Sequence, residues 1–408
     1  MKSGITVKEI LIPKDIDMSR WACIACDQFT SEEEYWKQLK EYVGEEKSTL
    51  NLVYPEIYLE RDTEKTIDSI NRKMREYVSE GLFNNLGKGM VLTVRKTPFV
   101  ERRIGIISAV DLEEYDYAVG QKPLVRATEG TITERIPPRL KIRKDAVIEF
   151  PHIMVLFDDA KREIAEQLYE NRDKLQKIYD FELNMGGGSI EGYFISDYQP
   201  ILDKFLNLLE PSLLVNKYGK EDKFQFAVGD GNHSLATAKA HWENVKKTLS
   251  EEERKTHPAR YCLAEFVNIY DEGIYFEPIF RLVYNVDRKE FIEGLNKVQG
   301  NFVCFDGEKE SSLASGNTLP ESITNVDKYV KEYIEKKGGK VDYIHGEENL
   351  KTLVKNDSSA VGILFDKMDK SELFKFVSTR GALPRKTFSM GEGVEKRYYL
   401  EGSYIAND

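Results

Sequence analysis

The chain has 408 residues, of which 41% are hydrophobic and 32% are charged. Its formal net charge of -11 at pH 7 argues against a broad surface for nucleic acid or for an anionic membrane. No apolar run approaches the ~20 residues that a membrane-spanning helix needs, and the first residues lack the apolar stretch of a secretory signal. We therefore expect a cytoplasmic protein with neither nucleic-acid nor membrane partners.

A chain of this length exceeds what one simple hydrophobic core holds, so we expect an α/β protein with several sub-domains. Helical and strand patterns alternate along it without an internal repeat. The predicted division is an N-terminal α/β segment over 1–90, a central domain with a helical insertion over 91–284, and a C-terminal α/β sub-domain over 285–408.

The first half of the chain contains both strand and helix patterns. Val91–Thr97 and Arg103–Asp111 alternate apolar and polar residues around a proline-containing turn, which predicts a β-hairpin. Ile148–Phe157 is predicted as a strand that Pro151 interrupts, and His152 beside it could line a site. Amphipathic or charged patterns predict helices over 31–43, 64–81, 159–179 and 199–217.

Four cysteines are present. Cys23 and Cys26 form a lone C-x-x-C pair, whereas Cys262 and Cys304 lie apart in apolar stretches. A structural zinc site needs four ligands, and no second pair of Cys or His residues completes one. We interpret the cysteines as small buried side chains rather than as a redox or metal site.

Residues 224–242 are the most informative stretch, since they indicate a buried strand, a sharp turn and a helix. Gly229 and Gly231 permit a tight or positive-φ turn. Polar residues of this turn cluster where free backbone amides gather at a helix N-terminus, which is a natural site for a phosphate or a carboxylate. These residues are Asp230, Asn232, His233 and Ser234.

Two interpretations of this turn stay open at this point. Asp230 beside His233 suits proton transfer or metal-assisted phosphoryl chemistry. Alternatively, Asp230 or Asn232 merely caps the helix and His233 is a surface histidine. A single Asp-Gly-x-His motif does not decide between them.

The last third of the chain indicates a small α/β layer. Before it, Arg260–Ile269 and Ile274–Val283 are predicted to pair as a hairpin around Asp271–Gly273. Lys340–Ile344 and Ala360–Phe365 are predicted as short strands. Helices are predicted over 287–298, 325–337, 347–355 and 370–379.

Six short motifs in the same order resemble those of family 1015 among the domains of unknown function. They are Ala25-Cys-Asp27 with Ser48–Val53, Arg126-Ala-Thr-Glu-Gly-Thr131, Asp230-Gly-Asn-His-Ser234, Glu277-Pro-Ile-Phe-Arg281, Val341-Asp-Tyr-Ile-His345 and Leu383-Pro-Arg-Lys-Thr387. The chain departs from the family pattern at four positions. Asn232, Thr128 and Phe280 each replace a usual histidine, and Ser234 replaces a usual arginine.

The resemblance implies a ParB/sulfiredoxin-like centre that binds a nucleotide, ATP or ADP with Mg²⁺, at the strand–turn–helix. It implies Glu129 as the catalytic base, Asp230 as the carboxylate for metal or phosphate, and His233 as a phosphate contact. Gly231, with Asn232 and Ser234, would let the nucleotide approach closely. Further candidates for substrate or phosphate binding are Arg126, Arg139, Arg281, His345 and Lys386.

The function that these expectations favour is nucleotide-dependent phosphoryl transfer to a small molecule such as free serine. The residue types suit that chemistry, which needs positioning, a cation at the phosphates and a carboxylate near the attacking hydroxyl. The loss of His and Arg from the central motif favours a second possibility, a non-catalytic nucleotide- or metabolite-binding regulator. A third is a phosphatase or other hydrolase that uses the same Asp and His without a nucleotide.

Overall fold

The computed structural model describes residues 2–59, 63–118 and 120–407. The chain is a mixed α/β protein, which confirms the expected fold class. It divides into two compact units, unit 1 with Met1–Ile274 and Glu392–Asp408, and unit 2 with Tyr275–Gly391. This grouping differs from the three segments expected from sequence, because one strand runs continuously through residue 90 and the end of the chain returns to unit 1.

The strands are β1 (Ile5–Thr6), β2 (Lys8–Pro13), β3 (Phe83–Lys96), β4 (Arg103–Asp111), β5 (Tyr115–Asp116), β6 (Val125–Ala127), β7 (Ile148–Glu149), β8 (Met154–Phe157), β9 (Gln176–Glu182), β10 (Ser189–Ile195), β11 (Phe226–Asp230), β12 (Tyr261–Asn268), β13 (Phe276–Tyr284), β14 (Phe302–Phe305), β15 (Glu310–Leu313), β16 (Lys340–His345), β17 (Val361–Leu364), β18 (Phe388–Met390) and β19 (Ser403–Tyr404).

The helices are α1 (Met18–Trp21), α2 (Glu33–Val43), α3 (Thr63–Ser79), α4 (Ile136–Arg143), α5 (Ala165–Glu170), α6 (Gln199–Asn207), α7 (Pro211–Tyr218), α8 (Asn232–Val245), α9 (Glu251–Thr256), α10 (Arg288–Leu295), α11 (Leu319–Lys337), α12 (Glu347–Asn356) and α13 (Glu372–Arg380). None of these described helices combines the length and the apolar composition that a bilayer crossing requires.

Unit 1 is built on a mixed sheet in the order β5-β6-β11-β8-β12-β4-β3-β10-β9, with β1 on β4 and β2 on β3. The hairpin of β3 and β4 predicted from sequence is confirmed, with Val91 opposite Ile107. Every residue of β4 is buried, because apolar clusters cover both faces of the sheet. Ile107 belongs to one cluster and Ile106 to the other.

The feature of this sheet that matters for function is the parallel pairing of β6 with β11. Val125 pairs with Phe226, and Ala127 pairs with Val228. Parallel neighbours end at the same edge of a sheet, where ligands commonly bind. The segment after β6 and the turn after β11 therefore lie together.

Two secondary-structure predictions are wrong. In place of one helix over 159–179, only α5 is α-helical, and the strand β9 pairs with β10. The strands predicted as a hairpin after residue 260 do form, but β12 pairs with β4 and β8, whereas β13 pairs with β16, β17 and β18. In both cases pairing with distant strands decides the outcome, and local sequence patterns do not encode it.

Unit 2 has the small α/β layer that the sequence predicts, with the strand order β15-β14-β17-β13-β16 and β18 beside β13. The predicted strands at 340–344 and 360–365 correspond to β16 and β17, and the four predicted helices correspond to α10–α13. Val283, Phe291, Val326 and Ile363 are among the buried residues of its core.

Candidate functional site

The strand–turn–helix predicted from residues 224–242 is present. β11 ends at Asp230, and Gly231 takes a left-handed conformation with φ 76° immediately before the 14-residue helix α8. A Cβ on Gly231 would lie 3.0 Å from the Cα of Ile153. Glycine is therefore required twice, by its positive φ and by the close approach of a neighbouring segment.

The segment after β6 is attached to this turn by two hydrogen bonds. The Thr128 hydroxyl donates to the Val228 carbonyl (2.8 Å), and the Ile132 N–H donates to Nε2 of His233 (3.3 Å). Glu129 lies between these two anchors and is partly exposed. The structure thus brings the predicted residues Glu129, Asp230 and His233 into one region.

Asp230 pairs with a lysine that the sequence analysis did not single out. Nζ of Lys396 lies 3.3 Å from Oδ2 of Asp230, and the two side chains are 12% and 26% exposed. Lys396 belongs to the final segment of unit 1, so the cation comes from far along the chain. It supplies positive charge at the first turn of α8, where the family pattern leads one to expect an arginine.

Asn232 and Ser234 occupy the first turn of α8. Asn232 is 7% exposed, and its Oδ1 is buried with no hydrogen-bond donor among the described residues. Ser234 Oγ lies 3.2 Å from Nε2 of His152, so its hydroxyl contacts a second histidine behind the turn.

His152, which is buried, is the centre of a polar group that we call the His152 cluster, formed by Asp27, His152, Ser234 and Tyr399. Nε2 of His152 lies 3.4 Å from Oδ2 of Asp27, and Nδ1 lies 2.9 Å from the Tyr399 hydroxyl. Tyr399 also accepts a hydrogen bond from the Cys26 N–H (3.2 Å). The cluster joins four distant parts of unit 1 directly beside the predicted site.

Charge in the cluster is set by its ion pair. Burial disfavours the imidazolium of His152, but the nearby Asp27 carboxylate outweighs burial and, with a contribution from Asp230, raises the pKa of His152 above its ordinary 6.5. Burial likewise disfavours the Asp27 carboxylate, yet His152 holds the pKa of Asp27 below its ordinary value. The pair is therefore favoured in its ionised form.

The cluster is not arranged as a Ser-His-Asp triad. In a triad the serine and the aspartate contact opposite nitrogens of the imidazole, so that the ring takes the serine proton while the aspartate orients it and stabilises its charge. Here Ser234 and Asp27 contact the same nitrogen, Nε2, and Tyr399 contacts the other. The geometry does not favour activation of Ser234 as a nucleophile.

Two predicted arginines of unit 1 are held by carboxylates. The Arg126 guanidinium donates to both oxygens of Asp222 (2.8 and 2.6 Å) and to the Pro123 carbonyl. Arg139 pairs with Glu56 and donates to the Arg135 carbonyl.

Arg281, His345 and Lys386 lie in unit 2. The Arg281 side chain is fully buried and pairs with both oxygens of Asp327 (2.9 and 2.8 Å). It also donates to the Lys386 carbonyl (2.8 Å). His345 ends β16 with an exposed side chain.

No group of three or more His, Cys, Asp or Glu side chains that could hold a metal ion occurs in the part of the chain that the structure describes. The four cysteines are free, and Cys23, Cys262 and Cys304 are buried. Burial raises the pKa of the Cys23 thiol to about 12, which keeps it protonated and unreactive. Among the described residues, Asp230, the predicted metal ligand, therefore does not belong to such a group.

Comparison with known proteins gives one family and several distant structures. The family model described as "Protein of unknown function (DUF1015)" matches residues 8–373. No curated protein matches the chain.

Solved structures that resemble the chain include a conserved hypothetical protein from Pyrococcus furiosus, with 11% identity, a TM-score of 0.35 and coverage of 74% of this chain and 95% of that one. A free serine kinase in complex with AMP has 10% identity, a TM-score of 0.39 and coverage of 73% and 92%. SbnI from Staphylococcus aureus has 11% identity, a TM-score of 0.37 and coverage of 70% and 82%.

We predict that Gly231→Ala destabilises unit 1 more than Gly219→Ala does. Both glycines have φ 76°, and a left-handed alanine costs ~1–2 kcal/mol. Only Gly231 also faces a close neighbour, because a Cβ on Gly219 meets no described atom within 4 Å. Denaturant unfolding of the two variants measures the difference, and equal losses of stability would contradict the close approach at Ile153.

We predict that His152 makes stability fall as the pH rises. Its folded pKa is raised, so its contribution is fully present below 6.5 and is lost as the pH passes its folded pKa. The difference in unfolding free energy between wild type and His152→Gln should therefore shrink from acid to alkaline pH. His257 is the control, because burial lowers its pKa and the corresponding difference for His257→Gln should grow as the pH rises. A pH-independent difference for His152→Gln would exclude the ion pair with Asp27.

Proposed function

The chain belongs to the DUF1015 family, and we propose that it binds a nucleotide at the first turn of α8 and transfers a phosphoryl group to the hydroxyl of a small molecule. The observation that carries the proposal is the turn at Gly231. It holds the N-terminus of a 14-residue helix at the end of a strand, between the carboxylate of Asp230 and the parallel strand that leads to Glu129. A ParB/sulfiredoxin-like nucleotide centre is part of this proposal.

Phosphate binding at this turn rests on the free N–H groups of a helix N-terminus, which favour anions. Lys396 supports phosphate binding, because its ammonium lies at the same turn and can accompany a phosphate. Asn232 supports a contact to another part of the nucleotide, since its buried Oδ1 without a donor suits a ligand group that supplies an N–H or O–H.

Proton transfer in the proposed reaction is assigned to Glu129. The hydrogen bonds of Thr128 and Ile132 hold the segment on both sides of it, and its partial exposure leaves the carboxylate accessible to a substrate hydroxyl. His233 accepts the Ile132 N–H at Nε2, so that bond orients its ring, and we assign this side chain a contact to phosphate.

Asp230 is the residue that would hold Mg²⁺. Mg²⁺ is commonly bound by one or two carboxylates together with substrate phosphates, and a single partly exposed carboxylate at the phosphate position fits that pattern. When bound, the ion neutralises charge on the phosphates. Lys396 balances the carboxylate of Asp230 in the free protein.

A non-catalytic nucleotide- or metabolite-binding regulator is the second candidate. Ser234 favours it, because its hydroxyl contacts His152 where the family pattern has an arginine. A serine in that contact contributes no charge to a transferring phosphoryl group, so the site would bind a nucleotide more readily than it would stabilise a transition state.

We predict that a nucleotide raises the thermal stability of the protein and that Asp230→Asn removes the Mg²⁺-dependent part of the increase. A ligand at a hundred times its Kd adds ~2.7 kcal/mol to folding. The measurement is thermal unfolding with ATP, ADP, CTP and GTP, each with and without Mg²⁺. Asp203→Asn is the matched control, because Asp203 is an exposed carboxylate on α6. No stabilisation by any nucleotide at millimolar concentration would refute the proposal.

We predict that Glu129→Gln lowers the rate of phosphoryl transfer by about 10²–10⁴-fold while nucleotide binding persists, since a lost general base costs about that factor. The assay offers ATP or ADP with free serine and other small hydroxy compounds and detects the phosphorylated product. Glu134→Gln is the control, because Glu134 is an exposed glutamate nearby in the chain. Wild-type protein that binds a nucleotide but forms no product would favour the regulator.

A further inference from the structure

A cavity of ≈160 Å³ lies in unit 1 behind the first turn of α8. One wall is apolar and includes Leu52, Met74, Ile142 and Phe150. Ser234, Thr237 and His152 line the side that faces α8 and the His152 cluster. The cavity therefore adjoins the proposed nucleotide site, and the two share Ser234.

The volume limits what the cavity can hold. An engineered apolar cavity of about 150 Å³ stays dry and binds benzene. A space of this size is too small for a nucleotide, since drug-sized ligands occupy pockets of roughly 300–1,000 Å³. The occupant is a compact molecule with an apolar body, close to a substituted benzene or a short branched chain in size.

Two arginines one helical turn apart on α4 define the polar side of the cavity. Arg139 pairs with Glu56, and Arg143 pairs with Glu149. The Nε–H of Arg143 is different from the other donors, because it is buried and has no acceptor among the described residues. A buried donor without an acceptor costs free energy that a ligand oxygen recovers.

Charge around Arg143 is positive in excess. Glu149 is shared between Arg143 and the buried Lys8, whose Nζ lies 3.3 Å from Oε1. Burial disfavours the carboxylate of Glu149, but these two cations hold its pKa at about 2, so one negative charge meets two positive groups. The positive charge of Arg143 also acts on His241 of α8. Burial and, after it, Arg143 lower the pKa of His241 to about 4.

We propose that this cavity binds a compact apolar monocarboxylate, with its carboxylate accepting the Nε–H of Arg143 and its apolar body against Leu52, Met74 and Ile142. A carboxylate forms the strongest hydrogen bond available to a guanidinium and neutralises the excess positive charge. A neutral molecule of the same shape fills the volume but leaves that charge uncompensated. The site needs no nucleotide, so it stands or falls independently of the proposed phosphoryl transfer.

The experiment compares benzoate with benzamide, a neutral molecule of nearly the same shape, by calorimetric titration of the full chain without nucleotide. Benzoate is expected to bind at least about tenfold more tightly than benzamide, because of the charge-assisted hydrogen bond. Arg143→Lys keeps a cation beside Glu149 but removes the Nε donor, and it should reduce benzoate affinity to about the level of benzamide.

A second variant tests the location without altering charge. Ala146 lines the cavity and is buried, so Ala146→Leu fills part of the volume and should abolish binding of both molecules. Ala314→Leu makes the same change at an exposed position of unit 2 and should leave binding unchanged. The proposal is overturned if neither probe binds wild type, if both bind equally, or if Ala146→Leu binds benzoate as wild type does.

Discussion

Unit 1 depends on the contacts that the last segment of the chain makes with two buried arginines. Arg95 and Arg103 are opposite each other on β3 and β4, inside a sheet that is covered on both faces. Their guanidinium groups donate to the Glu395 carbonyl (2.9 and 3.4 Å). Arg103 also pairs with Glu265 and Arg95 also donates to the Gly187 carbonyl, so the Glu395 carbonyl completes the contacts of two charges that are costly to bury. The same segment carries Tyr399 and Lys396, which contact His152 and Asp230. The last segment therefore stabilises the sheet and completes the candidate site together.

This dependence explains how a site with few charged residues is held in position. Asp27 lies between α1 and α2, His152 precedes β8, and Ser234 lies in the first turn of α8. Asp27 and Ser234 nevertheless both contact Nε2 of His152. His152 is buried, so a displacement of any one segment removes a polar partner from its ring. The replacement of a charged residue by Ser234 fits this environment, because an additional cation beside a protonated His152 would be repelled.

Local elements of the fold were predictable, whereas their assembly was not. The turn at Gly231, the hairpin of β3 and β4, and the layer of unit 2 follow from glycine positions and periodicity over short windows. His152 contacts Ser234 across 82 positions and Tyr399 across 247 positions of the chain. No spacing rule relates residues so far apart, and Lys396 belongs to none of the motifs that the sequence singles out. The arginines chosen for phosphate binding illustrate the same limit, because Arg126 and Arg281 neutralise Asp222 and Asp327, a role that a single sequence does not distinguish from ligand binding.

The first turn of α8 adjoins both of the proposed ligand sites. Gly231 and His233 face the strand ends, where we propose phosphate, while Ser234 and Thr237 line the cavity, where we propose a carboxylate. His152 contacts Ser234 and lines the cavity, and the carboxylates of Asp27 and, to a lesser extent, Asp230 raise its pKa against the effect of burial. A carboxylate in the cavity favours the same protonated state. If both anions favour protonated His152, each of them promotes the binding of the other through this side chain. This effect opposes their direct electrostatic repulsion, and the coupling between the two sites is reciprocal by thermodynamic necessity. Removal of the histidine charge would leave only the repulsion.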